Sequence, residues 1–145
     1  MKILGVDFGD ARTGLAVCDA GERLASPVGV IHEKSTEGFL SRVAAEAARL
    51  GVERIVVGYP KNMNGTAGPR AEKSERFARA LGERTGVDTR LWDERCTTMA
   101  AAVYFNATDT RGKKRKAVID AAAATIILQD YIDYRRHGGE EPDKG

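Results

Sequence analysis

The chain lacks several features that would place it in a specialised class. It has only two cysteines in 145 residues, Cys18 and Cys96, far apart and without a CxxC or histidine pattern, so neither a disulfide framework nor a zinc site is indicated. Its N-terminal apolar stretch is interrupted by Lys2 and Asp7 and is too short for a signal peptide or a membrane-spanning helix. We therefore expect a cytoplasmic protein with no membrane partner.

The chain also lacks a strong excess of either charge, because 23 basic and 21 acidic residues leave a formal net charge of only +2. Hydrophobic residues at 42% and charged residues at 30% are typical of an ordinary globular protein, neither disordered nor membrane-spanning. The length suits one domain with a core of its own. We predict a single domain over residues 1–136 and a flexible tail over 137–145.

The pattern of apolar residues and turn signals predicts the order of the elements. Three short strands come first, over residues 2–8, 13–19 and about 24–32, followed by a helix that Ser35 or Thr36 caps and Gly51 ends. A strand over 54–59, a loop over 60–69, a helix over about 70–85 and a strand over 87–94 follow, and helices over 97–106 and 116–136 complete the chain. This order predicts an α/β protein with a five-stranded mixed sheet, an antiparallel meander plus parallel strands, and helices on both faces. That is the layout of the ribonuclease H-like fold.

Three carboxylates are candidates for a metal site. Asp120 lies in a helical pattern with Ala123, Ala124 and Ile127 one and two turns on, which predicts that these residues face the packed side together with Asp120. An ionised group there is costly without a cation. Asp7 and Glu94 each close a predicted strand, and divalent metal would be the natural partner of all three acids if they converge. Asp93 and Glu94 point to opposite faces of their strand, so only one can join Asp7; we prefer Glu94, with Asp93 in an ion pair.

Basic and amide side chains are candidates for binding a sugar-phosphate backbone. Arg12 follows the glycine turn after Asp7, although this segment could equally be a plain hairpin turn. The loop after the fourth strand carries Lys61, Asn62, Asn64 and Arg70, with a surface loop as the alternative. Arg95 adjoins the second acid. The run that includes Lys113, Lys114, Arg115 and Lys116 is either solvated surface or a nucleic-acid contact, and Lys116 could also pair with Asp120.

Four segments, taken in order, resemble the YqgF family, also called RuvX, of ribonuclease H-like proteins. They are Asp7-x-Gly9-x-x-Arg12-x-Gly14, Val56-Val-Gly-x-Pro60 with Met63-Asn-Gly-Thr-x-Gly-Pro-Arg70, Asp93-Glu-Arg-x-Thr97, and Asp120-x-x-Ala123-Ala followed by Ile127-Leu-Gln. The resemblance runs from Asp7 to about Asp133. It implies a bacterial metal-dependent nuclease with Asp7, Glu94 and Asp120 as the metal-binding catalytic acids. One departure from the related RuvC resolvases is that the fourth strand ends without a carboxylate, so the second acid must come from the fifth strand.

The resemblance implies a structured nucleic acid as the substrate. We rank maturation of the 5′ end of precursor 16S ribosomal RNA first, with cleavage of Holliday junctions as the alternative. Mg²⁺ or Mn²⁺ would support in-line attack of water on a phosphodiester. We expect a monomer or homodimer that could act on a ribosomal particle. Two rivals are a non-catalytic RNA-binding assembly factor and an actin-like kinase or ATPase, although 145 residues cannot supply the second lobe that the latter needs.

Overall fold

The fold is described from a computed structural model for residues 1–60, 67–93 and 121–138. The strands are β1 (Ile3–Asp7), β2 (Arg12–Cys18), β3 (Ala25–His32), β4 (Arg54–Tyr59) and β5 (Asp88–Asp93), and the helices are α1 (Thr36–Leu50), α2 (Pro69–Thr85) and α3 (Ala122–Arg136). The strands form one sheet in the order β3-β2-β1-β4-β5. β1, β2 and β3 pair antiparallel, whereas β4 is parallel to β1 and to β5. The predicted five-stranded mixed sheet is confirmed.

Local signals in the sequence explain where the first two helices begin and end. The Ser35 hydroxyl accepts a hydrogen bond from the Gly38 amide at 3.0 Å, so Ser35 rather than Thr36 caps α1. Gly51 adopts a left-handed conformation with φ of 67° and ends α1. Pro69 occupies the first turn of α2, and Gly86 ends that helix with φ of 71°. The predicted ends of both helices are therefore confirmed to within a residue or so.

The sheet separates two apolar cores. On one face α1 and α2 cover a cluster that includes Leu4, Val6 and Val57, and Phe8 stacks on Phe77 there at 4.1 Å between ring centroids. The other face is covered by α3, whose residues pack on the side chains of a second cluster: Ile3, Ala16, Cys18, Ala25 and Val56. The prediction of helices on both faces is therefore confirmed.

Gly5 lets α3 lie unusually close to the centre of the sheet. A Cβ built at Gly5 would lie 2.8 Å from the Leu128 Cβ and 3.0 Å from the Ala124 carbonyl oxygen. Neither atom can rotate away, because one is backbone and the other is fixed to it. The close approach holds the first turns of α3 against β1, the strand that ends at Asp7.

The end of the chain departs from expectation at one point. Ala121 has φ of −95° and ψ of 2° in a turn, and α3 begins at Ala122 instead of continuing from residue 116. The remainder of that predicted segment, the helix predicted over 97–106 and the end of the predicted tail lie outside the described residues. In the described ranges we find no helix whose length and apolar character would let it cross a membrane.

Candidate active site at the carboxyl edge of the sheet

Asp7 is the last residue of β1, the central strand of the sheet. Because β1, β4 and β5 are parallel, their carboxyl ends meet at one edge, where β4 ends at Tyr59 and β5 at Asp93. In open α/β sheets this edge is where ligands bind. Asp7 therefore lies where the topology itself favours a site.

A tight turn after Asp7 brings the chain back into the sheet at Arg12. Asp7 pairs with Gly14 across β1 and β2, so the turn spans the few residues between them. A Cβ at Gly9 would lie 2.5 Å from the Arg12 carbonyl oxygen, so only glycine fits this turn without a shift of the backbone. The glycine turn in the sequence thus has a steric cause, and it places Arg12 beside the carboxylate.

The electrostatics of Asp7 combine burial with two nearby guanidinium groups. Burial raises the pKa of the Asp7 carboxyl above its ordinary value of 3.8, and the charges of Arg70 and Arg12 partly offset this effect. Among the described residues no hydrogen bond to the Asp7 carboxylate is found. Asp7 is therefore a partly desolvated oxygen donor that no residue of the described ranges engages through a hydrogen bond.

A cavity of about 590 Å³ opens in front of Asp7. Arg12 reaches it from β2 and Arg70 from the first turn of α2, and Ala123 reaches it from the first turn of α3. His32 and Asp10 also line it. The cavity gathers residues from distant parts of the chain, and its volume falls in the range of small-ligand sites, roughly 300 to 1,000 Å³.

The structure tests only part of the predicted site. It brings together Asp7, Arg12 and Arg70, which the sequence reasoning had selected. The other predicted residues lie outside the described ranges: Glu94, Asp120, Lys61, Asn62, Asn64, Arg95, Lys113, Lys114, Arg115 and Lys116. In the described part of the chain no group of three or more His, Cys, Asp or Glu residues is placed to hold a metal ion.

His32 and Asp10 line the cavity although the sequence reasoning gave them no role. A signal for His32 does exist, because the antiparallel pairing of β2 with β3 sets His32 directly opposite Arg12. His32 can be assigned to the site only when the residue-by-residue pairing of β2 with β3 is known, and turn patterns in the sequence do not determine that pairing. Asp10 is exposed and lies in the turn itself, where polar residues are common for reasons unrelated to function.

The helix pattern around the third predicted acid is confirmed in part. Ala124 and Ile127 are buried against the sheet, as the spacing predicted. Ala123 is exposed and faces the Asp7 cavity, contrary to its predicted place on the packed side. Ala123 and Asp7 line the same cavity, so the first turn of α3 lies at the carboxyl edge of β1.

Strand alternation assigns the acids at this edge to different faces of the sheet. Gly5 contacts α3, so Asp7, two residues later, projects to the α3 face. On β5 the Trp92 ring packs against Tyr131 of α3 at 5.8 Å between centroids. Asp93 therefore projects to the opposite face, the one that α1 and α2 cover.

Comparison with known proteins places these features in a family. Residues 1–134 match the family described as "RuvX: Holliday junction resolvase". A protein of Geobacillus thermodenitrificans named "Putative pre-16S rRNA nuclease" is 47% identical over 139 residues, which cover 94% of this chain and 100% of that protein. A protein of the same name from Desulfitobacterium hafniense is 46% identical over 136 residues, 94% of each chain.

Solved structures with low sequence identity share the architecture. T. thermophilus RuvC in complex with a Holliday junction substrate superposes with a TM-score of 0.69 at 16% identity, over 99% of each chain. The fowlpox virus Holliday junction resolvase has a TM-score of 0.58 at 16% identity, over 92% of this chain and 99% of that one. At this identity the likeness concerns the fold alone, and it confirms the predicted ribonuclease H-like architecture.

Proposed function

Since this chain belongs to the RuvX family, whose members are nucleases, we propose that it hydrolyses phosphodiesters in structured RNA, at the 5′ end of precursor 16S ribosomal RNA. The family membership supports the reaction class. The RNA substrate rests on relatives that are 46–47% identical along nearly their whole length and are named for it. We propose that the protein acts in the cytoplasm as a monomer or homodimer, on RNA that could be part of a ribosomal particle.

The observation that carries the proposal is the partly buried Asp7 carboxylate beside two guanidinium groups in an open cavity. Arginine presents paired N–H donors that match phosphate oxygens, so Arg12 and Arg70 are suited to hold the phosphate of a nucleic-acid strand next to Asp7. The Asp7 carboxylate could bind a metal ion and the two guanidinium groups could bind phosphate oxygens, so the charges at this sheet edge match those of a phosphodiester with a bound metal ion.

The donor set at Asp7 fits a divalent cation. Mg²⁺ and Mn²⁺ prefer carboxylate oxygens, and the Asp7 carboxylate has no hydrogen-bond donor among residues 1–60, 67–93 and 121–138 to compete with an ion. We propose that Asp7, Glu94 and Asp120 together hold Mg²⁺ or Mn²⁺. When bound, the metal would lower the pKa of the attacking water and stabilise charge on the leaving oxygen.

Strand alternation supports Glu94 rather than Asp93 as the second acid. Trp92 is on the α3 face, so the residue two positions later would share that face with Asp7 if the strand pattern continues. One strand, β4, separates β5 from β1, which puts their backbones roughly 10 Å apart. Two acidic side chains that extend toward each other across this gap could share one ion or a pair of ions.

Asp120 is supported as the third acid by the positions of its neighbours in the chain. Ala123, three residues on, lines the Asp7 cavity, and Ala121 is fully buried. The helix N-terminus at Ala122 therefore lies near the carboxyl edge of β1. In this proposal Arg12 and Arg70 hold the phosphate, and Lys61, Asn62, Asn64, Arg95 and the four basic residues 113–116 hold more of the backbone.

Substitution of the acids tests the catalytic assignment. Asp7→Asn and Glu94→Gln should each abolish cleavage of a precursor 16S fragment in Mg²⁺ or Mn²⁺ while RNA binding is kept, and Asp93→Asn, the matched control, should still cleave. A four-way DNA junction in parallel distinguishes the two substrates. If Asp7→Asn cleaves as fast as the wild type, the assignment of Asp7 is wrong. RNA binding without cleavage by the wild type in any metal would favour the non-catalytic assembly factor.

Metal binding can be measured without activity. Titration calorimetry with Mn²⁺ should give binding to the wild type and a large loss of affinity in Asp7→Asn, because a carboxylate ligand is replaced by a neutral amide. Asp93→Asn should bind Mn²⁺ as the wild type does. Equal Mn²⁺ affinity in all three proteins would mean that Asp7 is not a ligand.

A further inference from the structure

We propose that the groove between the start of α1 and α2 is a second phosphate-binding surface, which carries the nucleic-acid strand away from the Asp7 cavity. We call it the α1–α2 groove and define it by Lys34, Lys73 and Arg76 on its walls and the rings of Phe39 and Phe77 in its floor. The inference rests on the proposed nuclease function and deepens it, because it names where substrate beyond the cleaved bond would lie.

The α1–α2 groove lies near the candidate active site. Its volume is about 440 Å³, and a smaller cavity of about 360 Å³, lined by Arg70 and Lys73, shares residues both with it and with the Asp7 cavity. Asp10 lines all three cavities, and Arg70 lines both the connecting cavity and the Asp7 cavity. A strand held by Arg12 and Arg70 would therefore need to extend only past Asp10 and Lys73 to reach the groove.

Helix α2 presents its basic residues to this path as a stripe. Arg70, Lys73 and Arg76 follow one another at intervals of three residues, so they lie along one side of the helix. Six residues of helix rise roughly 9 Å. A stacked strand rises about 3.4 Å per nucleotide, so the stripe matches two to three nucleotides of backbone.

The cations of the groove have few partners, whereas several acids of α1, α2 and the preceding turn are paired with arginines. Within the described ranges neither Lys34 nor Arg76 has an ion-pair partner, and Lys73 has only a 3.4 Å contact with the largely exposed Asp10. Glu37, in the first turn of α1, is held by Arg84 through bonds of 2.6 and 2.8 Å.

Two more acids near the groove are also engaged. Glu33 pairs with Arg42 at 3.2 Å, and Glu75 of α2 pairs with Arg79 at 3.6 Å. The described lining of the groove therefore contains three basic residues and one acid, Asp10, close to the proposed site of phosphodiester cleavage. Clustered cations repel one another, and a polyanion relieves this repulsion while releasing counterions.

The salt dependence of RNA binding tests the groove. Each phosphate contact contributes about 0.7 to the slope of log affinity against log salt for a single strand and about 0.9 for a duplex. The double variant Lys34→Gln with Arg76→Gln should therefore lower the slope by about 1.4 to 1.8 and weaken binding at low salt. Both side chains are exposed, so the variant should melt like the wild type.

A matched control removes the same charge elsewhere. Arg49 and Arg136 are exposed, each lies within ion-pair distance of an acid on its own helix, and neither lines the groove, so Arg49→Gln with Arg136→Gln should leave the salt slope unchanged. Binding is measured with a labelled precursor 16S fragment in EDTA, which prevents cleavage. If the groove variant keeps the slope of the wild type, or if the control loses as much, the groove is not a phosphate-binding surface.

Cleavage by the wild type, measured in parallel with Mg²⁺, separates this proposal from the function on which it rests. Cleavage with unchanged slopes in the groove variant overturns the groove alone. A reduced slope in the groove variant, together with no cleavage by the wild type, overturns the nuclease assignment and retains the groove as an RNA-binding surface.

Discussion

Gly5→Ala should destabilise the protein, because the contact between β1 and α3 leaves no room for a methyl group. The new Cβ would lie 2.8 Å from the Leu128 Cβ and 3.0 Å from the Ala124 carbonyl oxygen, well inside ordinary van der Waals distance. Overpacking of this kind costs about 1 to 3 kcal/mol, and the lower entropy of an unfolded chain with alanine offsets about 0.4 to 1 kcal/mol of that.

The expected change in melting temperature can be worked out from this balance. The entropy gain is shared by a Gly→Ala change without a clash, so relative to such a control the loss is the overpacking cost of about 1 to 3 kcal/mol. At roughly 2 to 4 °C per kcal/mol for a domain near this size, this lowers the melting temperature by about 2 to 12 °C. Calorimetry or circular dichroism in metal-free buffer measures it. The same change at Gly21 is the control, since the nearest atoms to a Cβ there are 3.6 to 3.9 Å away.

Function provides a second readout for Gly5→Ala. The first turn of α3 carries Ala123 into the Asp7 cavity, so a helix pushed off the sheet should also lower the cleavage rate at 25 °C, where both proteins are folded. Gly21→Ala should melt at or slightly above the wild-type temperature and cleave normally. If Gly5→Ala and Gly21→Ala have the same melting temperature, the close approach of α3 to β1 does not limit the size of residue 5, and this prediction is wrong.

Two further substitutions test the electrostatics of the structure. Burial raises the Asp7 pKa, so ionisation of Asp7 lowers the free energy of unfolding as pH rises above 3.8. Without metal, Asp7→Asn should therefore melt like the wild type near pH 3 and at a higher temperature than the wild type at pH 7. A lower melting temperature of Asp7→Asn at pH 7 would contradict this. Tyr131→Phe removes the 2.9 Å hydrogen bond that buried Arg54 donates to the Tyr131 hydroxyl, so urea unfolding should show a loss of about 1.5 to 3 kcal/mol. The half-exposed Tyr134→Phe is its control, and equal stability of the two variants would mean that the bond contributes nothing.

The order and type of the elements could be predicted because local signals agree with the fold. Ser35, Gly51 and Gly86 cap or end helices by chemistry that operates within a few residues, and the alternation of strands with helices restricts the pairing directions. The start of α3 could not be predicted in this way. The apolar pattern continues through Ala121, and the turn there is a feature of the backbone that alanine neither favours nor prevents.

The candidate site was predictable where a sequence motif and a fold position coincide. Asp7 ends a strand and is followed by glycine, so both its place at the sheet edge and the proximity of Arg12 follow from local reasoning. Arg70 was selected as a backbone contact from a polar loop, but its proximity to Asp7 depends on how α2 returns to the edge of the sheet. His32 was missed because its place depends on the register of β2 with β3.

The α1–α2 groove was beyond sequence reasoning for a different reason. The spacing of Arg70, Lys73 and Arg76 is visible in the sequence, but α2 also carries Glu72, Glu75 and Glu83, which makes the helix look like an ordinary charged surface. Only the packing of α2 against α1 shows which cations remain uncompensated, because acids that could neutralise the groove are bound by arginines beside it. The net charge of +2 therefore does not show how charge is distributed, since a nearly balanced total is compatible with a local excess of basic residues from the candidate active site to the groove.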